Sequence, residues 1–417
     1  MIDADAMQNT PLRVLFYVQH LLGIGHVKRA SLLVQGWLAA GLDVTVVSGG
    51  EPVPQFRFDG ARLLQLAPVK ARDANFSALV NSEGQPLDAA FKQGRTRQLL
   101  DALQQTQPHL LVIENYPFGR RQLRWELLPL LQSAVLLAQP PRIVCSIRDI
   151  LQARKPERVD ETVALIDQYF DAVLVHGDSH FIPLQQSFPR CQAFTDKLRY
   201  TGYVTDPAAK QPQATVNEIL ISAGGGAVGF ALMRACLEAL AQPGLFGRCE
   251  SQLFHDQQGS GQPGYCWRFL LGPNVTVEQQ QRLNVLLEAI DKNRVNVILE
   301  PVRPDFPELL QRCRLSISQG GYNTLMDLLA AECAAVVVPF EGSGETEQLA
   351  RTERLQQLGL CRMVREAALT PTELARAVCQ LLDGSDKHPS VPQPLTLDCN
   401  GAALSAQILK SLVDTDA

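Results

Sequence analysis

The sequence lacks several features that would place it in a specialised class. Its apolar runs, such as 143–147 and 172–175, are far shorter than the roughly 20 residues that a membrane-spanning helix needs. Its ten cysteines include no C-x-x-C pair, which argues against a structural zinc site and for reduced thiols. The net charge is −5 without long runs of one sign, so a general electrostatic hold on nucleic acid is not expected. Residues 1–10 are polar and acidic, unlike a secretory signal. We therefore expect a cytoplasmic protein without a transmembrane segment, free or peripheral at the inner membrane face.

Two series of short aliphatic segments alternate with longer segments of helical periodicity. This alternation is typical of a parallel sheet covered by helices. A polar, proline-bearing stretch at residues 202–215 separates the two series and indicates a linker. The sequence thus predicts an α/β protein with Rossmann-like, doubly wound domains at residues 11–203 and 215–382, facing each other across a cleft. A closing helix is predicted at residues 400–415. In such sheets ligands bind beyond the carboxyl ends of the strands.

The first glycine-bearing turn, Gly23-Ile24-Gly25-His26, joins a predicted strand to a predicted helix. Glycines let the backbone bend tightly, and a helix start favours negative charge. Because the same positive dipole end disfavours a cationic imidazole, His26 is predicted to be neutral and able to accept a proton. The alternative is a solvent-facing histidine on an ordinary glycine turn.

Polar residues also end three later strands of the first series, at Glu114-Asn115, Arg148-Asp149 and His176-Gly177-Asp178. Carboxyl ends of parallel strands lie at one edge of a sheet, so any of these residues could contact an acceptor or assist His26. Asp149 is a candidate catalytic partner of His26. Each of these residues is equally consistent with a salt-bridged loop.

The second glycine turn consists of Gly224, Gly225 and Gly226 and follows a predicted strand at residues 218–222. Together with Gly229 it matches G-x-G-x-x-G, whose backbone amides can bind phosphate oxygens. A dinucleotide site would also need an acidic residue about 20 positions later, and only the more distant Asp256 is available. The turn therefore predicts phosphate contact but not NAD binding.

The third turn, Gly320-Gly321, leads into a helix start that we expect Asn323 or Thr324 to cap, which would give another anion site. Asp327 lies four residues beyond Asn323 on the same helix face and could accept hydrogen bonds from sugar hydroxyls. A loop after the next predicted strand offers more acceptors suited to a hexose: Glu345, Glu347 and Gln348. The alternative is a solvated helix residue followed by a charged loop.

The order of these turns and acidic residues resembles the GT-B glycosyltransferases, and in particular the MurG-like branch with a family 28 type of C-terminal domain. The resemblance implies that the C-terminal domain holds a nucleotide-diphosphate sugar. It implies that Asp327 is the acidic ribose ligand and that Gly321 and Thr324 face phosphate. It also implies that Glu345 and Gln348 contact the donor sugar and that Gly224–Gly226 lie near the diphosphate or the edge of the acceptor site. Gly23, Gly25 and His26 would lie on the acceptor side.

The sequence departs from that family at two positions. The first turn lacks the doubled glycine before His26, and Asp327 stands where the family usually has Glu. These departures leave the acceptor undefined: a small molecule, a glycan and a lipid-linked sugar are all consistent with the sequence.

The resulting prediction is an inverting hexosyltransferase that uses a UDP-, dTDP- or GDP-sugar, with His26 as base. The donor sugar is a hexose or an N-acetylhexosamine. Helix starts can stabilise a departing diphosphate, and the sequence has no D-x-D pair at a strand end, so no metal or other cofactor is predicted. Nucleic acid is not an expected partner. The alternatives are a nucleotide-sugar epimerase or hydrolase and a non-catalytic nucleotide-sugar-binding subunit, with an NAD(P) oxidoreductase ranked last.

Overall fold

The computed structural model describes residues 11–21, 25–54, 56–73, 78–152, 155–205, 215–224, 229–254, 264–272, 275–342, 346–382 and 398–414. The chain divides into two compact units. Unit 1 comprises Met1–Thr205 and Leu397–Ala417, and unit 2 comprises Asp206–Thr396.

The described residues of unit 1 form nine strands and, before the chain enters unit 2, four α-helices. The strands are β1 Arg13–Val18, β2 Asp43–Ser48, β3 Arg62–Gln65, β4 Val69–Ala71, β5 Leu79–Asn81, β6 Leu110–Glu114, β7 Arg142–Arg148, β8 Ala172–His176 and β9 Leu198–Tyr200. The helices are α1 Gly25–Ala39, α2 Ala89–Thr106, α3 Arg124–Ala134 and α4 Pro156–Tyr169. Seven strands form a parallel sheet in the order β3-β2-β1-β6-β7-β8-β9, and β4 and β5 form a small antiparallel pair. The strand order therefore reverses between β1 and β6.

The unit 1 sheet is apolar on both faces, as a sheet covered by helices on each side requires. In β1, Leu15 and Tyr17 belong to one core cluster, whereas Phe16 belongs to the cluster on the other face. Trp37 of α1 is fully buried, with its ring centroid 4.9 Å from that of Phe16. The strand pattern thus explains why helices pack on both sides.

Within unit 2, the part of the chain that the structure describes forms six strands and seven α-helices. The strands are β10 Glu218–Ser222, β11 Cys266–Leu271, β12 Asn296–Pro301, β13 Leu315–Gln319, β14 Ala335–Val338 and β15 Arg362–Met363. The helices are α5 Phe230–Leu240, α6 Glu250–Leu253, α7 Val277–Glu288, α8 Phe306–Arg312, α9 Tyr322–Ala330, α10 Glu347–Gln357 and α11 Pro371–Leu382. All strand pairs are parallel, in the order β12-β11-β10-β13-β14-β15, so the order reverses between β10 and β13.

The last helix, α12 (Gly401–Asp414), returns to unit 1 and packs on α1. Trp37 Nε1 donates a hydrogen bond of 2.8 Å to Ser405 Oγ. A Cβ placed on Gly36 would lie only 2.7 Å from the Cβ of Ala402, so the two helices approach closely at this glycine. The α12 helix thus completes the core of the first unit.

The predicted α/β class with two Rossmann-like, doubly wound domains is confirmed. The strand predicted at 218–222 has the observed bounds of β10. Helix α2 begins at Ala89, where Asp88 caps it by accepting a hydrogen bond from Phe91 N. Residues 121–123 form a 3₁₀ turn ahead of α3.

Within the described residues, no helix has both the length and the apolar character needed to cross a membrane. All ten cysteines lie in the described ranges, and none of them forms a disulfide.

Candidate active site

Each sheet has one point at which its strand order reverses, and His26, Glu114 and the second and third glycine turns lie at the carboxyl ends of the strands flanking these points. In unit 1 the flanking strands are β1 and β6, and in unit 2 they are β10 and β13. Doubly wound parallel sheets bind ligands at this position because the loops there diverge to opposite faces. The fold therefore provides one candidate ligand site in each unit.

In unit 1, a histidine and a glutamate form a direct contact at this point. His26 is the second residue of α1, and Glu114 is the last residue of β6. His26 Nδ1 lies 2.6 Å from Glu114 Oε1. The His26 side chain is 20% exposed, whereas that of Glu114 is 1% exposed. A carboxylate that accepts the Nδ1 proton orients the ring and leaves Nε2 as the nitrogen that can accept a substrate proton.

Two arginines keep this buried glutamate ionised. Arg29 Nη2 lies 2.5 Å from Glu114 Oε1, and Arg120 Nη2 lies 3.6 Å from Oε2. Burial raises the pKa of Glu114, but His26, Arg120 and Arg29 outweigh that effect and hold the pKa well below its usual range. Burial lowers the pKa of His26; Glu114 opposes this lowering, and Arg120 adds to it. The pair is therefore a neutral imidazole beside a carboxylate.

The carboxylate that contacts His26 is thus Glu114 and not the predicted partner Asp149. Asp149 follows β7 and is fully buried. Its Oδ1 accepts from Ile150 N at 2.9 Å, and its Oδ2 accepts from the Tyr203 hydroxyl at 2.8 Å. The bond to Tyr203 connects the carboxyl end of β7 to the chain after β9. A catalytic role of Asp149 stays a prediction.

The predicted acceptor-side glycines lie immediately before His26. Gly25 is the first residue of α1. Gly23 lies outside the described residues.

A second buried ion pair in unit 1, between Arg95 and Glu126, lies at the centre of a hydrogen-bond network. Arg95 Nε of α2 lies 2.6 Å from Glu126 Oε2 of α3, and both side chains are completely buried. The Tyr17 hydroxyl donates to Glu126 Oε1 at 2.5 Å. Arg95 also donates to Gln19 Oε1 at 2.7 Å and to Gly49 O at 2.8 Å. This network links α2 and α3 to the segments that follow β1 and β2.

In unit 2, the third glycine turn leads into α9 without a side-chain cap. Gly321 is the N-cap, with φ −63° and ψ 145°, and it makes no side-chain cap hydrogen bond. The prediction that Asn323 or Thr324 caps this helix is wrong: both residues lie within its first turn. The reason is that Gly321 itself takes the extended conformation that an N-cap needs. The start of α9 thus lacks an N-cap side chain, an arrangement typical of helix starts that bind anions.

The second glycine turn meets this helix start. Gly224 has a positive φ of 66°, and its amide donates to Ser222 Oγ at 3.2 Å. A Cβ placed on Gly224 would lie 3.5 Å from Thr324 Oγ1. Gly225 and Gly226 lie outside the described residues. The described part of the second turn thus adjoins Thr324, as the two predicted phosphate sites require.

The predicted sugar ligands have different positions. Asp327 lies in the second turn of α9 and is 7% exposed, so the alternative of a solvated helix residue is wrong. Gln348 lies in the first turn of α10, where its Oε1 accepts from Phe340 N at 3.0 Å. Glu345 lies outside the described residues.

The loop predicted to carry Glu347 and Gln348 is in fact the start of α10. Glu347 is buried and pairs with Arg351 at 3.2 Å, one helical turn later. The guanidinium of Arg351 also lies 4.9 Å from the Tyr322 ring centroid. This ion pair is the physical reason that the segment is helical and that Glu347 is not an open hydrogen-bond acceptor.

The close packing of Gly320 leads to a testable prediction. A Cβ at this position would lie 3.0 Å from Thr352 Oγ1 and 3.2 Å from Pro339 Cα. Gly320→Ala is therefore expected to lower the free energy of unfolding by about 1–3 kcal/mol, the usual cost of overpacking. Urea denaturation of the full chain measures this change.

Gly94, in the interior of α2, is the matched control. A Cβ there would meet no atom within 4 Å, so Gly94→Ala is expected to stabilise the protein by about 0.5–1 kcal/mol through helix propensity. Equal effects of the two substitutions would contradict the packing argument.

The described residues contain no group of three or more His, Cys, Asp or Glu side chains arranged to hold a metal ion.

Comparison of the sequence with known proteins gives matches in its C-terminal part. Residues 269–393 match the model of the glycosyltransferase family 28 C-terminal domain. A UDP-N-acetylglucosamine–N-acetylmuramyl-(pentapeptide) pyrophosphoryl-undecaprenol N-acetylglucosamine transferase from Rhodopseudomonas palustris is 31% identical over 114 residues, which is 27% of this chain and 30% of the relative. The enzyme of the same name from Thermotoga neapolitana is 30% identical over 102 residues, 24% of this chain and 30% of the relative. The match spans about a third of the length of these curated relatives.

The similarity to solved structures extends over nearly the whole chain. MurG of Acinetobacter baumannii superimposes with a TM-score of 0.60 at 16% identity, covering 96% of this chain and 100% of that structure. CalG4, the calicheamicin glycosyltransferase, gives a TM-score of 0.59 at 17% identity, covering 98% and 100%. At such low identity these similarities establish the fold. The predicted resemblance is confirmed: the chain has the fold of GT-B glycosyltransferases such as MurG, and residues 269–393 match the glycosyltransferase family 28 C-terminal domain.

Proposed function

We propose that this chain is a glycosyltransferase that moves a hexose or N-acetylhexosamine from a nucleotide-diphosphate sugar to an acceptor hydroxyl. The contact between His26 and Glu114 carries the proposal, because it pairs a neutral imidazole with an ionised carboxylate at the ligand-binding edge of unit 1. The family 28 domain in unit 2 and the relatives named for N-acetylglucosamine transfer support it.

In this proposal, unit 2 binds the donor. The amides at the start of α9 receive the diphosphate, since no side chain of the described residues caps them. The adjoining Gly224 turn lets the backbone approach the same group. Asp327, in the next turn of α9, accepts hydrogen bonds from the ribose hydroxyls.

In the chemical step, Nε2 of His26 accepts the proton of the acceptor hydroxyl. The hydroxyl oxygen then forms a bond to the anomeric carbon while the bond from that carbon to the diphosphate oxygen breaks. Glu114 stabilises the imidazolium that results, as a buried carboxylate does in other histidine-based catalytic sites. A single displacement of this kind inverts the anomeric configuration. The α9 amides stabilise the charge on the departing diphosphate, which makes the proposed transfer independent of a metal ion.

The donor-binding role of Asp327 is tested by Asp327→Ala. Loss of hydrogen bonds to a charged acceptor is worth about 1.5–3 kcal/mol, so the Kd for UDP and for a UDP-sugar is expected to rise about 10- to 100-fold. Isothermal titration calorimetry on the full chain measures both constants. The control is Asp305→Ala, in which a surface carboxylate paired with Arg303 in the same unit is removed.

Unchanged UDP affinity in Asp327→Ala would contradict the proposed ribose contact. Assays with a panel of UDP-, dTDP- and GDP-sugars then separate the possible activities. A hydrolase would release free sugar without an acceptor, and a binding subunit would bind the donor without turning it over.

A further inference from the structure

A pocket in unit 1 lies beside the His26–Glu114 pair and has no part in the transfer described above. The loop after β6, the start of α3 and helix α4 form it. Its polar side chains are those of Tyr116, Arg120, Arg121, Arg124, Arg158, Glu161 and Thr162. Four arginines against one acidic residue give the pocket a positive charge.

The ion pairs within the pocket leave much of that charge unbalanced. Arg121 Nη2 lies 3.0 Å from Glu161 Oε2, and Arg124 pairs with the other oxygen of Glu161. Arg158 has no ion pair with any residue in the described ranges. One carboxylate therefore faces three guanidinium groups, so two positive charges remain for a ligand. Arg121 and Arg124 are about half exposed, which gives a ligand access to them.

A buried hydroxyl adds a second, independent feature. Tyr116 is 2% exposed, and its Oη has no hydrogen bond of normal geometry within the described part of the chain. Burial raises the pKa of Tyr116, against a lowering effect of Arg124, so the hydroxyl stays protonated and can donate. Arg124, a polar side chain close to this hydroxyl, can only donate hydrogen bonds, so the Tyr116 O–H proton still needs an acceptor from a ligand or a water.

Arg120 places the pocket next to the proposed base. It lines the pocket, and its Nη2 lies 3.6 Å from Glu114 Oε2, whose other oxygen contacts His26. Arg120 Nε also donates to Gln19 O at 2.7 Å, which holds the loop after β6 against the end of β1. Arg120 thus links the pocket to the carboxylate that contacts His26.

We propose that this pocket binds a doubly charged phosphate group of the acceptor, so that the preferred acceptors are phosphorylated. The inference rests on the proposed function. Arginine presents several N–H donors in a fork that matches phosphate oxygens, and three such forks with a hydroxyl donor suit a phosphate monoester. A carboxylate and a free phosphate ion share part of this chemistry, so the experiment includes both.

The test is a titration of the full chain with methyl phosphate, followed by ³¹P line broadening, with UDP at saturation to occupy the donor site. The double variant Arg124→Gln/Arg158→Gln is expected to bind methyl phosphate at least about 10-fold more weakly. The control variant Arg190→Gln removes a surface arginine that pairs with Asp160 in the same unit, and it is expected to bind normally. Equal affinity in the double variant and the wild type, or no binding by the wild type, would overturn the proposal.

Two further probes distinguish the ligand classes. Tighter binding of acetate than of methyl phosphate would overturn the phosphate assignment. Binding of inorganic phosphate without binding of methyl phosphate would overturn the acceptor assignment, because the pocket would then admit only the free ion.

The experiment distinguishes a failure of the phosphate-pocket proposal from a failure of the transferase proposal. UDP binding and slow hydrolysis of the donor by water depend on unit 2 and His26, and the double variant is expected to keep both. If the wild type binds no UDP, the transferase proposal fails, and the phosphate titration without UDP still decides the pocket. In the acceptor assay, the double variant should raise KM for a phosphorylated sugar acceptor and leave KM for its unphosphorylated form unchanged.

Discussion

Replacing His26 with alanine is expected to lower kcat by about 100- to 10,000-fold, the usual contribution of a positioned general base. The donor affinity should remain unchanged, because the proposed donor contacts all lie in unit 2. Glu114 would keep its contact with Arg29 at 2.5 Å, so the buried carboxylate would not be left without a counter-charge. The rate of UDP release gives kcat, and calorimetry on the same preparation gives the donor Kd.

His180→Ala is the matched control, since this histidine lies in the same unit and its side chain is 88% exposed. It should turn over at the wild-type rate. A His26→Ala variant with normal kcat would remove the base from the mechanism, whatever its donor affinity.

The pH dependence of kcat/KM is a second test of the role of His26. The pKa of His26 is lowered in the folded protein, so the neutral ring persists below the ordinary value of about 6.5. The acid limb of kcat/KM should accordingly lie below pH 6.5. As the pH falls below that value, the unfolded chain binds a proton that the folded chain does not, and the stability contributed by this group decreases.

Removal of Glu126 is expected to cost about 3–5 kcal/mol of unfolding free energy, because Glu126→Leu leaves the buried guanidinium of Arg95 without its counter-charge. Tyr17 would also lose the acceptor of its 2.5 Å hydrogen bond. The midpoint and slope of urea denaturation measure the loss.

Two variants make this prediction specific. The double substitution Arg95→Met/Glu126→Leu removes both charges and should recover most of the loss, since hydrophobic replacement of a whole buried pair is often neutral. Asp160→Ala breaks the exposed pair with Arg190, whose side chains are 66% and 60% exposed, and should cost less than about 1 kcal/mol. A double variant as unstable as Glu126→Leu would mean that shape, and not charge, makes the pair important.

The elements that the sequence predicts well are those whose signal is local. Strand β10 is a buried run of five residues between a polar linker and a glycine turn, and both boundaries are visible in the sequence. Helix α7 is not predicted, because among its twelve residues only Leu283 is buried and its apolar periodicity is therefore weak. The contact of Trp37 with Ser405 joins positions 368 residues apart, and no local pattern specifies such a pairing.

For the candidate site, too, local motifs are visible in the sequence, whereas contacts between distant segments are not. The glycine turns and Asp327 follow from short motifs, which a single sequence displays. Glu114 and Asp149 are both acidic residues at or just after strand ends, and the sequence does not rank one over the other as the partner of His26. The sheet order decides, because β6 is adjacent to β1, whereas β7 lies one strand further away.

The return of α12 to unit 1 affects how the protein is made. The residues of unit 2 are inserted, in chain order, between two parts of unit 1. During translation, unit 2 can therefore complete its core while the groove beside Trp37 and Gly36 still awaits its helix. Nascent unit 1 therefore exposes that apolar groove until α12 emerges from the ribosome, and such transiently exposed surface is prone to aggregation.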